Sequence, residues 1–240
     1  GVVDLSVIGP VNPDHLGAVG LGNTWSFATM VFGMGMVMGA DPLLTQAYGA
    51  GDPKAAGVAV WHTTLWTALI GVLITGLHLL AAPGMALLGQ PAATIPDASA
   101  YAEIMGASVV PFLGFSLVRG LLQANGRMTA PTVIILLGNL VNLAGDLTVV
   151  WGLGGEVVGI AWVTVVVRWF MLAALVWVGR DAIRTAWPDE GLVIRRRQLA
   201  RVADVGFPVA LQVSLEVWAF NATMFLAGWL GPQALNAHTA

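Results

Sequence analysis

Cysteine is absent from the 240-residue chain, which excludes disulfides and thiolate metal sites. Charge is scarce: Asp, Glu, Lys and Arg together make up 10% of the residues, where a soluble domain carries about 25%. The four histidines, His15, His62, His78 and His238, are scattered rather than set at metal-ligand spacing, and no HExxH occurs. There is no phosphate-binding loop, and Gly114-Phe115-Ser116 is not completed to a nucleophile elbow. These absences speak against ATP hydrolysis and against an intramembrane enzyme. No cofactor is expected either. What is present is apolar surface, with 57% of the residues hydrophobic. That composition predicts an all-α polytopic membrane protein, because each crossing needs about 20 mainly apolar residues.

Seven spans are expected, the first represented only by residues 1–9. The others cover about 16–48, 55–88, 99–124, 129–152, 157–183 and 206–230, separated by Pro/Gly clusters such as GPVNPDHLG, GAGDPKAAG and GQPAATIPDAS. The loops after spans two, four and six carry Lys54, Arg127 and the group Arg180, Arg184, Arg195, Arg196, Arg197 and Arg201. Those after spans one, three and five carry no Lys or Arg, only Asp14, Asp97 and Glu156. This alternation is the positive-inside pattern, with span one running from cytoplasm to exterior. The Arg195–Arg197 run is accordingly read as a topology signal and anionic-lipid contact, not a nucleic-acid site. The sequon-like Asn221-Ala-Thr223 falls inside a span, where glycosylation is not expected.

Three acids interrupt the apolar stretches: Asp4, Asp146 and Glu216. A carboxylate near the bilayer centre costs roughly 2.5–3.5 kcal/mol on insertion scales, so it persists where partners, water or an ion offset the cost. Asn142 and Asp146 are four residues apart and share one face of span five, with Asn139 close to the same line. Stacked oxygen-bearing side chains suit a hard cation such as Na+. Reversible protonation of a desolvated acid is the alternative chemistry, and an inter-helix hydrogen-bonding lock is the plain structural one. Arg168 lies on span six, four residues after Thr164, placed either to pair with Asp146 or to snorkel toward the cytoplasm. Glu216 continues a polar stripe with Gln212 and Thr223 on span seven. Gly35 and Gly39 form a small-xxx-small pair expected to pack closely on another helix. Met30, Met34, Met36 and Met38 read as packing residues before ligand contacts, and Trp61, Trp151 and Trp187 as interfacial anchors.

An internal repeat adds an architecture. Residues 8–19 (IGPVNPDHLGAV) match 227–238 (AGWLGPQALNAH) at a constant offset of 219, pairing Gly9 with Gly228, Pro13 with Pro232, Leu16 with Leu235 and Ala18 with Ala237. Six spans separate the copies, as in a parallel repeat of two six-helix bundles about an axis along the membrane normal. The expected organisation is therefore an N-terminal bundle over 1–184 with its first helix truncated, a cytoplasmic connection over 185–205, and the start of a second bundle over 206–240. On this reading the chain is a piece of a longer protein.

The motifs VDLSVIG (3–9), GMGMVMGADPLLTQAYGAGD (33–52), LVRGLLQANGRMTAP (117–131), NLAGD (142–146), GIAWVT (159–164) and GFPVALQVSLEVWAF (206–220) resemble the multidrug and toxic compound extrusion (MATE) family over nearly the whole chain. The resemblance implies the first seven of twelve helices of a secondary active antiporter, which takes up Na+ or H+ and exports amphipathic, often cationic compounds. It implies a cation or proton site at Asp4, Asn142, Asp146 and Thr164, with Glu216 belonging to a second acidic site in the other bundle. It further implies a bacterial inner-membrane protein, monomeric when full length. A lipid-linked saccharide flippase of the same superfamily is the transport alternative, though more cationic residues than Arg168 would be expected along its cavity.

Overall fold

Residues 13–152 and 157–239 are described by the computed structural model, and every regular element among them is a helix. The order is α1 (Pro13–Met38), α2 (Asp41–Gly49), α3 (Pro53–Leu79), α4 (Ala81–Leu87), α5 (Ile95–Gly106) and α6 (Val109–Ala124). Then follow α7 (Thr129–Leu147), α8 (Val157–Ala186), α9 (Arg196–Trp229) and α10 (Pro232–Thr239). Five stretches are long and apolar enough to cross a membrane, and the pair α5 and α6, bent by 49°, makes a sixth. Span one, with Asp4, lies outside the described residues.

The expected spans are present, but three of them are broken. Hydropathy reports apolar surface and is blind to backbone hydrogen bonding, and the breaks are backbone events. Span two stops at Gly39–Ala40 and restarts as α2, with a proline in its first turn. Span three is cut at Leu80, where α4 begins. Span four bends at Ala107–Ser108. Pro111 has no N–H to return to the Ala107 carbonyl one turn earlier, and that oxygen instead accepts Trp169 Nε1–H from α8 at 3.2 Å. Elsewhere the ends follow local rules: Asp52 caps α3 by accepting the Ala55 N–H at 3.0 Å.

The connection placed over 185–205 is also shorter than expected. Residues 196–205 are helical and extend α9, which therefore begins within the arginine run. Arginine is a good helix former, so the polarity that suggested a loop is equally that of a helix projecting past the hydrocarbon. The remaining link is tied back to α3. Lys54 Nζ donates to the Trp187 carbonyl at 2.7 Å and lies 3.0 Å from Asp189 Oδ1. Buried His62 accepts the Arg195 N–H on Nε2 at 3.0 Å, while its Nδ1 meets the Val58 carbonyl at 2.7 Å.

α1 is the hub, packed by α3, α5, α6, α9 and α10. Its crossing with α9 uses small residues on both sides. A Cβ at Gly35 would stand 2.5 Å from the Ala210 Cα, and one at Gly39 would overlap Gly206. The two backbones approach as closely as small-xxx-small pairs permit, as the sequence predicts. Phe207 of α9 then packs edge-on between Phe32 and Trp66, with ring centroids at 5.9 and 5.3 Å. The outer surface is apolar: Leu136 and Leu140 of α7, and Trp162, Val166 and Trp177 of α8, are all exposed. Trp151 and Trp187 are exposed at helix ends, consistent with interfacial anchoring. An apolar exterior around buried polar side chains is the arrangement of a multi-pass membrane protein.

Candidate cation and substrate site

α7 and α8 pack through one face of α7, set by Gly138, Asn142, Gly145 and Asp146 at spacings of four, three and one. The glycines receive α8 side chains. A Cβ at Gly138 would meet Met171 Sδ at 2.5 Å, and one at Gly145 would meet Val163 Cγ1 at 2.6 Å. Between and beside them the two polar residues are carried inward. Asp146 has no exposed surface, and Asn142 and Thr164 are each 8% exposed. Asn142 Nδ2–H donates to Thr164 Oγ1 at 3.3 Å across the helix pair.

Of the four residues expected at this site, the structure thus gathers Asn142, Asp146 and Thr164 at the α7–α8 seam. Asp4 lies outside the described residues. Glu216, expected in a separate second site, is exposed on α9, as are Gln212 and Thr223. The asparagine donates through its amide nitrogen, so its Oδ1 is an acceptor to be placed toward a cation or a proton donor. Among the described residues no three His, Asp or Glu side chains converge as a divalent metal centre would require. An amide oxygen, a hydroxyl and a buried carboxylate suit a monovalent cation or a proton.

Directly after Asp146 the helix changes register. Residues Thr148–Gly152 form a π-helical turn, and the Thr148 hydroxyl donates to the Ala144 carbonyl at 2.7 Å. Such turns open the backbone ladder and recur at functional sites. Composition does not mark this turn, and the sequence reading missed it.

Arg168 makes contacts that its sequence-based options did not include. Its Nη1 donates to Ser108 Oγ at 2.7 Å and touches Met30 Sδ at 3.4 Å, and its guanidinium lies 5.0 Å from the centre of the Phe112 ring. It therefore reaches the α5–α6 bend and α1. With Trp169 on the Ala107 carbonyl, α8 holds that bend by two consecutive residues.

A cavity of about 560 Å3 opens beside the Asn142–Thr164 pair, between α6, α7 and α8. Its walls include Phe112, Phe115 and Met171, with Asn139, Arg119 and Arg168 among its polar groups. Met34 also reaches it, whereas Met30 and Met36 are buried in packing and Met38 is exposed. The size falls within the range of pockets for drug-sized molecules. The sequence reading did not single out Arg119 or the α6 aromatic face. Both were legible as the i, i+3, i+4, i+7 set Phe112, Phe115, Ser116 and Arg119.

Residues 1–148 match the family model MatE. The chain belongs to the MatE family. Curated relatives agree over nearly its full length. A probable multidrug resistance protein NorM of Synechococcus is 30% identical over 99% of this chain and 53% of its own length. The DNA damage-inducible protein F of Escherichia coli is 27% identical, again over 99% of this chain and 53% of its own. This MatE chain thus spans about half the length of the curated relatives it matches. Among solved structures, an inward-facing multidrug resistance MATE family transporter superposes with a TM-score of 0.83 at 23% identity, covering 99% of this chain and 55% of the other. A eukaryotic MATE transporter gives 0.84 at 17% identity, covering 97% and 52%. The fold is that of the MATE transporters, and the family's names are those of transporters rather than enzymes.

Proposed function

We propose that this chain forms the first bundle and the beginning of the second in a secondary active multidrug antiporter, in which Na+ or H+ entry drives export of amphipathic compounds. The observation that supports it most is the wholly buried Asp146 beside the Asn142–Thr164 bond, at the edge of a cavity of drug size. A carboxylate held there at several kcal/mol of insertion cost is poised to exchange a positive guest. Arg168 of the same helix as Thr164 bonds Ser108 and lies over the Phe112 ring, which ties the α5–α6 bend to the helix that carries the site. Asp4 is proposed as a further ligand and Glu216 as part of a separate acidic site in the second bundle. The assembled protein is proposed to work as a monomer in the bacterial inner membrane.

Alternating access between two related bundles finds support at the start of the repeat. Gly17 N–H donates to Asn236 Oδ1 at 2.8 Å, and these two residues are separated by the repeat offset of 219. Equivalent residues of two related units meet only near the axis that relates them, so α1 and α10 flank that axis. The basic-loop pattern assigns this contact to the exterior side, where it keeps the bundles together.

Vesicles containing the full-length protein test the reading. Imposing a Na+ or H+ gradient should drive net efflux of the cationic dye ethidium, and dissipating the gradient should stop it. Efflux indifferent to both gradients would remove the antiport reading.

A further inference from the structure

We propose that His62 is a proton-binding site at the connection between the bundles, and that its protonation releases this connection from α3. The proposal goes beyond the efflux reading and does not rest on it. Both ring nitrogens of His62 are engaged. Nδ1 stands 2.7 Å from the Val58 carbonyl one turn earlier on α3, and Nε2 stands 3.0 Å from the Arg195 backbone nitrogen. A carbonyl only accepts, so Nδ1 carries the hydrogen. A backbone N–H only donates, so Nε2 presents its lone pair. The ring is therefore neutral in the bonded state. A proton on Nε2 would meet the Arg195 N–H head on, so the bond and the protonated ring exclude each other.

The bond is the middle one of three that hold the connection in step with α3. Lys54 on the Trp187 carbonyl, His62 on the Arg195 N–H, and Trp66 Nε1–H on the Leu199 carbonyl at 3.0 Å all join residues 133 apart. Arg195 is also where α9 starts, its carbonyl accepting the Gln198 and Leu199 N–H groups. His62 has no exposed surface but forms part of the wall of a cavity of about 440 Å3. The charged groups on that wall are Asp52 and Lys54 from α3, Asp189, Glu190 and Arg195 from the connection, and Arg201 from α9. Among the described lining residues α2 brings none. Asp52 caps α3 at Ala55, Lys54 pairs with Asp189, and Arg195 pairs with Glu190. These carboxylates are engaged elsewhere, and His62 makes no ion pair among the described residues. A buried imidazolium without a counter-charge is costly, and parting of the connection from α3 relieves it by admitting water. The connection is thus held while His62 is neutral and let go as pH falls, within the range of pH 5 to 8 over which histidine ordinarily changes charge. The basic-loop pattern assigns this end of the molecule to the cytoplasm, so the proton is a cytoplasmic one.

Full-length protein in lipid nanodiscs tests this through hydrogen exchange of residues 187–199, read by mass spectrometry at pH 8 and pH 5.5. Each variant is compared with native protein at the same pH, which cancels the pH dependence of the exchange chemistry, because residue 62 lies outside the peptide. His62→Gln keeps a neutral acceptor for the Arg195 N–H at either pH, and His62→Phe fills the space without one. At pH 8 native protein and His62→Gln should exchange alike, with His62→Phe about fivefold faster, as loss of one hydrogen bond gives. At pH 5.5 native protein should match His62→Phe, while His62→Gln stays about fivefold slower. The proposal is overturned if native protein exchanges no faster than His62→Gln at pH 5.5, or if His62→Phe is as protected as native protein at pH 8. The first of these results also exposes titration of Asp189 or Glu190, which His62→Gln retains. No gradient or substrate is present, so a failure of antiport in vesicles and a failure of this release are separate results.

Discussion

A single buried carboxylate organises the seam. Asp146 has no exposed surface, and its helix neighbours on the same face are two glycines and Asn142. Their small size draws α8 in and shuts out lipid, so the acid is stabilised by what the seam places around it. Replacing Asp146 with Asn keeps volume and polarity but removes the charge on which the proposed coupling depends. Asp146→Asn in the full-length protein is expected to insert and purify normally, yet to lose gradient-driven ethidium efflux by about a hundredfold or more, as loss of an interaction worth about 3 kcal/mol would give. Parallel measurement of detergent-solubilised yield and vesicle efflux checks it. Coupled efflux at native rate would exclude the residue from coupling. A loss of yield together with efflux would return it to the role of a structural lock.

Helices here are defined as much by where they break as by where they run. The α5–α6 bend follows from Pro111, and its orphaned Ala107 carbonyl is satisfied by Trp169 while Arg168 bonds the adjacent Ser108. The α1–α9 crossing depends on the opposite device, absence of side chains. Gly39 opposes Gly206, and Gly35 opposes Ala210, at backbone contact. A leucine at position 39 has no space without parting the helices, and overpacking of this kind costs about 1–3 kcal/mol. Gly39→Leu is therefore expected to lower the thermal midpoint of the detergent-purified protein by several degrees, about 2–4 °C per kcal/mol for a protein of this size. Gly76, where an added Cβ meets nothing within 4 Å, serves as the position of a control substitution. A native midpoint for Gly39→Leu, measured by static light scattering on heating, would show that the crossing tolerates separation.

At the scale of the whole molecule, the contact between Gly17 and Asn236 joins the first bundle to the start of the second. Alternating access requires that such an exterior contact part during each cycle. The chain contains no cysteine, so in full-length protein from which any cysteine beyond it is removed, a pair introduced by Gly17→Cys and Asn236→Cys is read against an empty background. A short bis-maleimide should link the pair, as seen by mass spectrometry of a protease digest, and linking should arrest ethidium efflux. Either single variant treated the same way should continue to transport. Linked protein that still transports would mean that this end of the molecule does not open.

Much of this was legible in the one-dimensional pattern, for identifiable reasons. Spans follow from the need to match hydrocarbon with about 20 apolar residues, and the alternation of basic with basic-free loops supplies the expected orientation. The face shared by Asn142 and Asp146 follows from helical periodicity, and the Gly35–Gly39 contact from their spacing. Tertiary structure decided what depends on partners distant in the chain. Thr164, named in the sequence only through the family resemblance, is set opposite Asn142, twenty-two positions away, by the packing of α7 on α8. Arg168 bonds Ser108 and lies over Phe112, an acceptor and a ring face that only the packing of another helix brings within its reach. Helix breaks, the π-helical turn after Asp146 and the arginine-bearing cavity belong with these. Hydropathy and spacing encode the free energy of leaving water, whereas the pairing of a donor with its acceptor is settled only when folding brings the two together.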